Sequence, residues 1–119
     1  MEALLLVFGY EGAELKKLKA LCREKSIRMK NVDEAEAGQK LGALCSLRER
    51  EEAASGEAPG QMLVFARFGD RQLDMLLAAI KTARLGADAV KAVLTPDNAA
   101  WRACDLYREL IKERNELEK

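Results

Sequence analysis

The sequence predicts an α/β (α+β) protein with a four-stranded sheet built from two similar βαβα halves. Three observations carry this. Leu4-Leu5-Leu6-Val7-Phe8 and Met62-Leu63-Val64-Phe65 are continuous apolar runs, the pattern of strands covered on both faces. Each run leads into a segment with apolar residues at helical spacing. A shorter strand and a further helix then follow in each half. With 119 residues the chain is long enough for one domain with one core, spanning 1–119.

Composition narrows the function classes. Hydrophobic residues are 49% and charged residues 34%, a globular balance. Lys plus Arg equals Asp plus Glu at 20 each, which argues against a nucleic-acid binder that works by bulk charge. The chain has no histidine, so Ser-His and Cys-His nucleophilic catalysis is absent. Its three cysteines, Cys22, Cys45 and Cys104, are far apart, which leaves no local zinc spacing and no metal site. Each lies among apolar helical positions, the pattern of buried thiols in a reducing cytoplasm. Ala3 to Phe8 is too short to span a bilayer, and Glu2 stands where a leader would carry basic residues. No membrane association and a cytoplasmic location are expected.

In chain order, Gly9 to Gly12 turns from the first strand into a helix over about 13–25, with Leu15, Leu18, Leu21 and Cys22 inward. A strand over 27–32 alternates Ile27 and Met29 with Arg28 and Lys30, so one side or edge is wet. Asp33 is placed to cap a second helix over about 34–50, with an inner stripe of Gly38, Leu41, Gly42 and Cys45. Two glycines on that face suit either close helix approach or a weak helix. Residues 55–60 read as a flexible linker between halves 1–54 and 61–119. The second half repeats the order: strand 62–68, Asp70 as cap, a helix to about 84 burying Leu73, Leu76, Leu77 and Ile80, and Gly86 as its stop. Leu6-Val7-Phe8 matches Leu63-Val64-Phe65, and Leu15, Leu18 and Ala20 match Leu73, Leu76 and Ala78 after one extra residue, which suggests an internal duplication.

The strongest punctuation is Val90 to Trp101. The strand Val90–Leu94 points Val90, Ala92 and Leu94 one way and Lys91 and Val93 the other. Thr95 then suits the N-cap of the final helix, Pro96 its first position and Asp97 its positive dipole end. Ala103, Cys104, Leu106, Tyr107, Leu110 and Ile111 form one stripe, and Trp101 lies off it. Thr95, Asn98 and Trp101 are therefore the candidate ligand-binding residues. Two readings stand: capping explains every polar residue here, or the helix end holds a neutral or zwitterionic ligand or a peptide.

Met62 to Phe65, Leu73-Asp74, Leu94-Thr95-Pro96-Asp97-Asn98-Ala99-Ala100-Trp101, Leu106, Leu110 and Glu113 together resemble the bacterial family called domain of unknown function 3783. Thr-Pro-x-Asn-x-x-Trp is the distinctive element, and the likeness covers the second half. The resemblance implies no activity and carries over no catalytic residue.

Two sheets suit the order. A ferredoxin-like arrangement, with strands one and three central and antiparallel, is preferred over an all-parallel sheet. For function, the expectation is a small protein-interaction or regulatory module; a small-ligand binding domain with its site at the start of the last helix is the alternative. Without histidine, a Gly-rich phosphate loop or metal spacing, an enzyme is disfavoured, and no cofactor is expected. Leu110, Ile111 and Leu117 carry the apolar stripe to the chain end, which predicts a homodimer through the last helix.

Overall fold

The computed structural model describes residues 3–33, 36, 38–45 and 60–117. Strands β1 (Leu4–Phe8), β2 (Arg28–Val32), β3 (Met62–Ala66) and β4 (Val90–Val93) alternate with helices α1 (Gly12–Glu24), α2 (Leu41–Leu44), α3 (Asp70–Thr82) and α4 (Ala103–Leu117). One sheet holds all four strands in the order β2-β1-β3-β4. The apolar runs take the centre: β3 is buried at every position and β1 at all but its first. The mixed strands β2 and β4 take the edges, where charged side chains reach water.

The sheet is mixed. β1 and β3 are antiparallel, as expected, but β1 with β2 and β3 with β4 are parallel neighbours. This corrects the ferredoxin-like label, because a split βαβ unit keeps another strand between its parallel pair and neither unit here does. The antiparallel centre equally departs from an all-parallel sheet. The direct neighbours follow from helices that return the chain along the same strand direction through short connections.

Helices cover both faces. Leu5, Val7, Leu63 and Phe65 face α1 and α3, whose Leu18, Cys22, Leu76 and Ile80 are buried against them. Leu6, Phe8, Met62 and Val64 face α2 and α4 through Leu41, Leu44, Ala103 and Leu106. Burying each such leucine contributes roughly 1.5–3 kcal/mol.

The halves share more than element order. α1 and α3 are each 13 residues long and start 58 positions apart, at Gly12 and Asp70. Gly9 and Arg67, and Ser26 and Arg84, are pairs at the same spacing with the same left-handed backbone. Both helices end in one motif: Ile27 N–H donates to Cys22 C=O at 2.8 Å and Leu85 N–H to Ile80 C=O at 3.0 Å. Arg84, not Gly86, thus occupies the left-handed position that stops α3. The spacing holds in the strands too, so Leu5 corresponds to Leu63 and Val7 to Phe65, with no extra residue in the turn. Matching Leu6-Val7-Phe8 to Leu63-Val64-Phe65 is one residue out, and a one-residue slip reverses every side chain in a strand.

The second helix departs most from expectation. Among the described residues of 34–50, α-helix is present only over Leu41–Leu44, and Lys40 before it is extended. Lys40 pairs with Arg102 across an antiparallel bridge, and that pairing replaces helix at this point. At Gly42 the chain comes close to a neighbouring segment, one of the two readings of the glycines: a Cβ there would lie 3.2 Å from the Ala99 carbonyl oxygen. Of the expected helix, residues 34, 35, 37 and 46–50 lie outside the described residues, as do linker positions 55–59.

Candidate functional site

Leaving β4, the chain makes a closed polar turn. The Thr95 amide donates to Asn98 Oδ1 at 2.8 Å, and the Asn98 amide donates to Thr95 Oγ1 at 3.1 Å. This is the reciprocal geometry of a capping box, with Asn in the third position. Asn98 Nδ2 also donates to the Val93 carbonyl at 3.0 Å, which ties the turn to the end of β4. The turn leads only into a short 3-10 segment, Asn98–Ala100, whose own N-cap residue Asp97 makes no side-chain capping bond.

Capping of the final helix by Thr95 is therefore corrected. Trp101 is extended, with φ −81° and ψ 146°, and separates the 3-10 segment from α4. Its extension has a cause in the partner segment. Leu41 N–H donates to the Trp101 carbonyl at 2.9 Å, and Ala103 N–H donates to the Gln39 carbonyl at 3.0 Å. Arg102 extends its guanidinium to the Gly38 carbonyl. The start of α4 is thus engaged: the Asp105 and Leu106 amides both donate to the Arg102 carbonyl at 3.1 Å. These bonds account for amides that a free helix end would offer to a ligand.

Of the three candidate residues, Thr95 and Asn98 are brought together and bonded to each other. Trp101 is adjacent in the chain, but it is 42% exposed. Its backbone is held on both sides, since its own N–H donates to the Asn98 carbonyl at 3.0 Å. The result is a large aromatic presented on a fixed backbone. The stripe it was expected to leave is as read: Ala103, Cys104 and Leu106 are buried, and Tyr107, Leu110 and Ile111 pack partly against the sheet.

A second feature lies outside the residues singled out in the sequence. A cleft of about 570 Å³ opens between the end of α3 and the edge strand β4. Leu77, Ile80, Gly86 and Ala87 form its apolar part; Lys81, Arg84 and Lys91 line it with positive charge. Lys91 pairs with Leu63 in the sheet register and so shares the face that α3 covers. Its ammonium donates to the Gly86 carbonyl at 2.9 Å and the Ala89 carbonyl at 3.3 Å. The signal available in the sequence was a lysine at a strand position whose neighbours in the fold are apolar.

The thiols are unpaired; Cys22 and Cys104 are buried and Cys45 is half-buried. Burial pushes the Cys22 thiol up to about 11. Burial also raises Cys45, against a smaller opposite pull from Arg67 and Lys30. Among the described residues, no group of three or more His, Cys, Asp or Glu side chains is placed to hold a metal ion. No helix among them is long and apolar enough to cross a membrane.

Residues 61–117 match the family model described as Domain of unknown function (DUF3783), which supports the family for the second half of the chain. No curated protein matches the chain. No solved structure matches it either.

Proposed function

We propose that this protein is a small protein-interaction module and that Trp101 is its principal contact. One observation carries the reading: the only tryptophan of the chain is 42% exposed on a backbone hydrogen-bonded on both sides. An exposed aromatic on a fixed backbone loses little backbone freedom when a partner covers it, and large aromatics dominate interface energetics. Thr95 and Asn98 then act as the device that fixes the turn before Trp101 rather than as ligand groups. Their mutual bonds favour this over a small-ligand site at the start of α4.

Self-association belongs to the same proposal. Leu110 and Ile111 pack on the chain's own sheet, which leaves Leu117, 87% exposed, as the free end of the stripe. The spacing of 58 shared by the halves supports a duplicated βαβα unit, and three unpaired thiols agree with a bacterial cytoplasm.

Trp101 is its own reporter. Its emission maximum should shift to the blue when a partner, or a second copy at high micromolar concentration, covers the indole. Wild type should retain an identified protein from extract that Trp101→Ala loses with an unchanged melting temperature. Equal retention by both, with emission independent of concentration, would end the proposal.

A further inference from the structure

We propose that the cleft between α3 and β4 binds a small amphipathic anion, an aliphatic carboxylate. The argument starts from a difference between the halves. Up to Ile27 and Leu85, equivalent positions lie 58 apart. At the next strand the spacing becomes 62, since Leu4 pairs with Arg28 and Met62 with Val90. The second half therefore carries four extra residues, Gly86 to Ala89, between α3 and its edge strand. Two of them, Gly86 and Ala87, line the cleft.

The side chains change with the insertion. Leu77 and Arg84 line the cleft where the first half has Lys19 and Ser26. Lys91 stands at the sheet position that Met29 holds in the first half. The lining of the cleft thus combines apolar Leu77, Ile80, Gly86 and Ala87 with three cationic residues, and none of the seven is acidic. Arg84 is also held at φ 58°, a backbone position usually left to Gly or Asn.

This charge pattern selects the occupant. Lys91 uses two of its three N–H donors on loop carbonyls, which leaves one for a ligand oxygen. Lys81 and Arg84, which line the same cleft, add two more positive charges. A carboxylate would sit among these three groups with its alkyl chain on Leu77 and Ile80. The volume lies within the range of small-molecule sites, about 300–1,000 Å³.

The test is titration of the whole chain with decanoate, followed by amide NMR, beside decanol as the neutral counterpart. Saturable shifts should centre on Ile80, Ala87 and Lys91, with decanol at least tenfold weaker. Lys81→Gln with Arg84→Gln should weaken decanoate at least tenfold at an unchanged melting temperature. Ala87→Phe, on the exposed loop, should close the cleft and abolish the shifts while the remaining spectrum keeps its positions. The proposal is overturned by the absence of saturable shifts, by equal binding of decanol, or by undiminished binding in the double variant. Saturation by an acidic peptide but not by decanoate would overturn the assignment to a small molecule.

Discussion

Lys40 and Arg102 face each other as an antiparallel bridge pair, and each directly precedes a helix of its own half. Around them the bonding is reciprocal. Leu41 N–H reaches the Trp101 carbonyl and Ala103 N–H reaches the Gln39 carbonyl; the two donors lie 62 positions apart, and so do the two acceptors. The turns before the bridge match as well, since Gln39 N–H donates to Glu36 C=O and Trp101 N–H to Asn98 C=O, both at 3.0 Å. The bridge therefore stitches the halves together above the sheet, on the face that α2 and α4 cover. Arg102→Ala removes the guanidinium from the Gly38 carbonyl. It should cost about 1.5–3 kcal/mol by urea unfolding, the range for a charge-assisted hydrogen bond. A change below 0.5 kcal/mol would show that the bridge backbone holds by itself.

Tyr10 makes the corresponding link on the other face, where its hydroxyl donates to the Leu85 carbonyl. Tyr10→Phe should cost about 1–2 kcal/mol, because a buried carbonyl then lacks its partner. The same burial, with a smaller push from Glu14, raises the Tyr10 phenol from 10.0 to about 12. Below pH 10 both folded and unfolded chains keep this proton. Between pH 10 and 12 only the unfolded chain releases it, so stability should fall as pH rises through that window and level off above it. Cys22 acts in the same direction between 9.0 and about 11. Urea midpoints from pH 8 to 12 check this, and Tyr10→Phe should flatten the upper part of the curve.

Gly9 has φ +75°, and a Cβ there would collide with the backbone of Gly60. Arg67 tolerates the same left-handed region at the matching position, so backbone conformation alone does not demand glycine. Gly9→Ala should therefore cost at least about 2 kcal/mol, mainly from overpacking. Measured against Arg67→Gly, which should be neutral or stabilising, it separates the two causes.

Thr95 and Asn98 are mutually dependent. Either substitution to Ala should cost about 0.5–2 kcal/mol, typical of cap loss. Each change removes one of the two reciprocal bonds; because both bonds close the same turn, the double variant should cost less than the sum. Additive costs would mean that the two bonds act separately.

Thiol labelling should be ordered by burial and charge. Cys22, 1% exposed and with its thiol raised, should react slowest in the native protein and accelerate in denaturant. Cys45, half-buried beside Arg67 and Lys30, should react before it. Fast native labelling of Cys22 would contradict the packing of α1.

By itself the sequence determined what local patterns can carry. Unbroken apolar runs marked β1 and β3 as the centre, and wet residues marked β2 and β4 as the edges. Helical spacing gave the inward faces of α1, α3 and α4, because burial of one stripe is a local requirement. Tertiary structure decided the rest. Parallel neighbours within each half, rather than a split unit, depend on where each helix returns the chain. The break at Trp101 and the short α2 arise because residues 39–41 and 101–103 bond to each other, 60 or more positions away in sequence. The cleft is equally non-local: Leu77, Arg84 and Lys91 acquire a shared surface only when α3 packs beside the edge strand. A capping pattern fixes which amide is satisfied nearby, but it cannot show whether the next helix starts there, because a distant strand-like segment can claim the same backbone first.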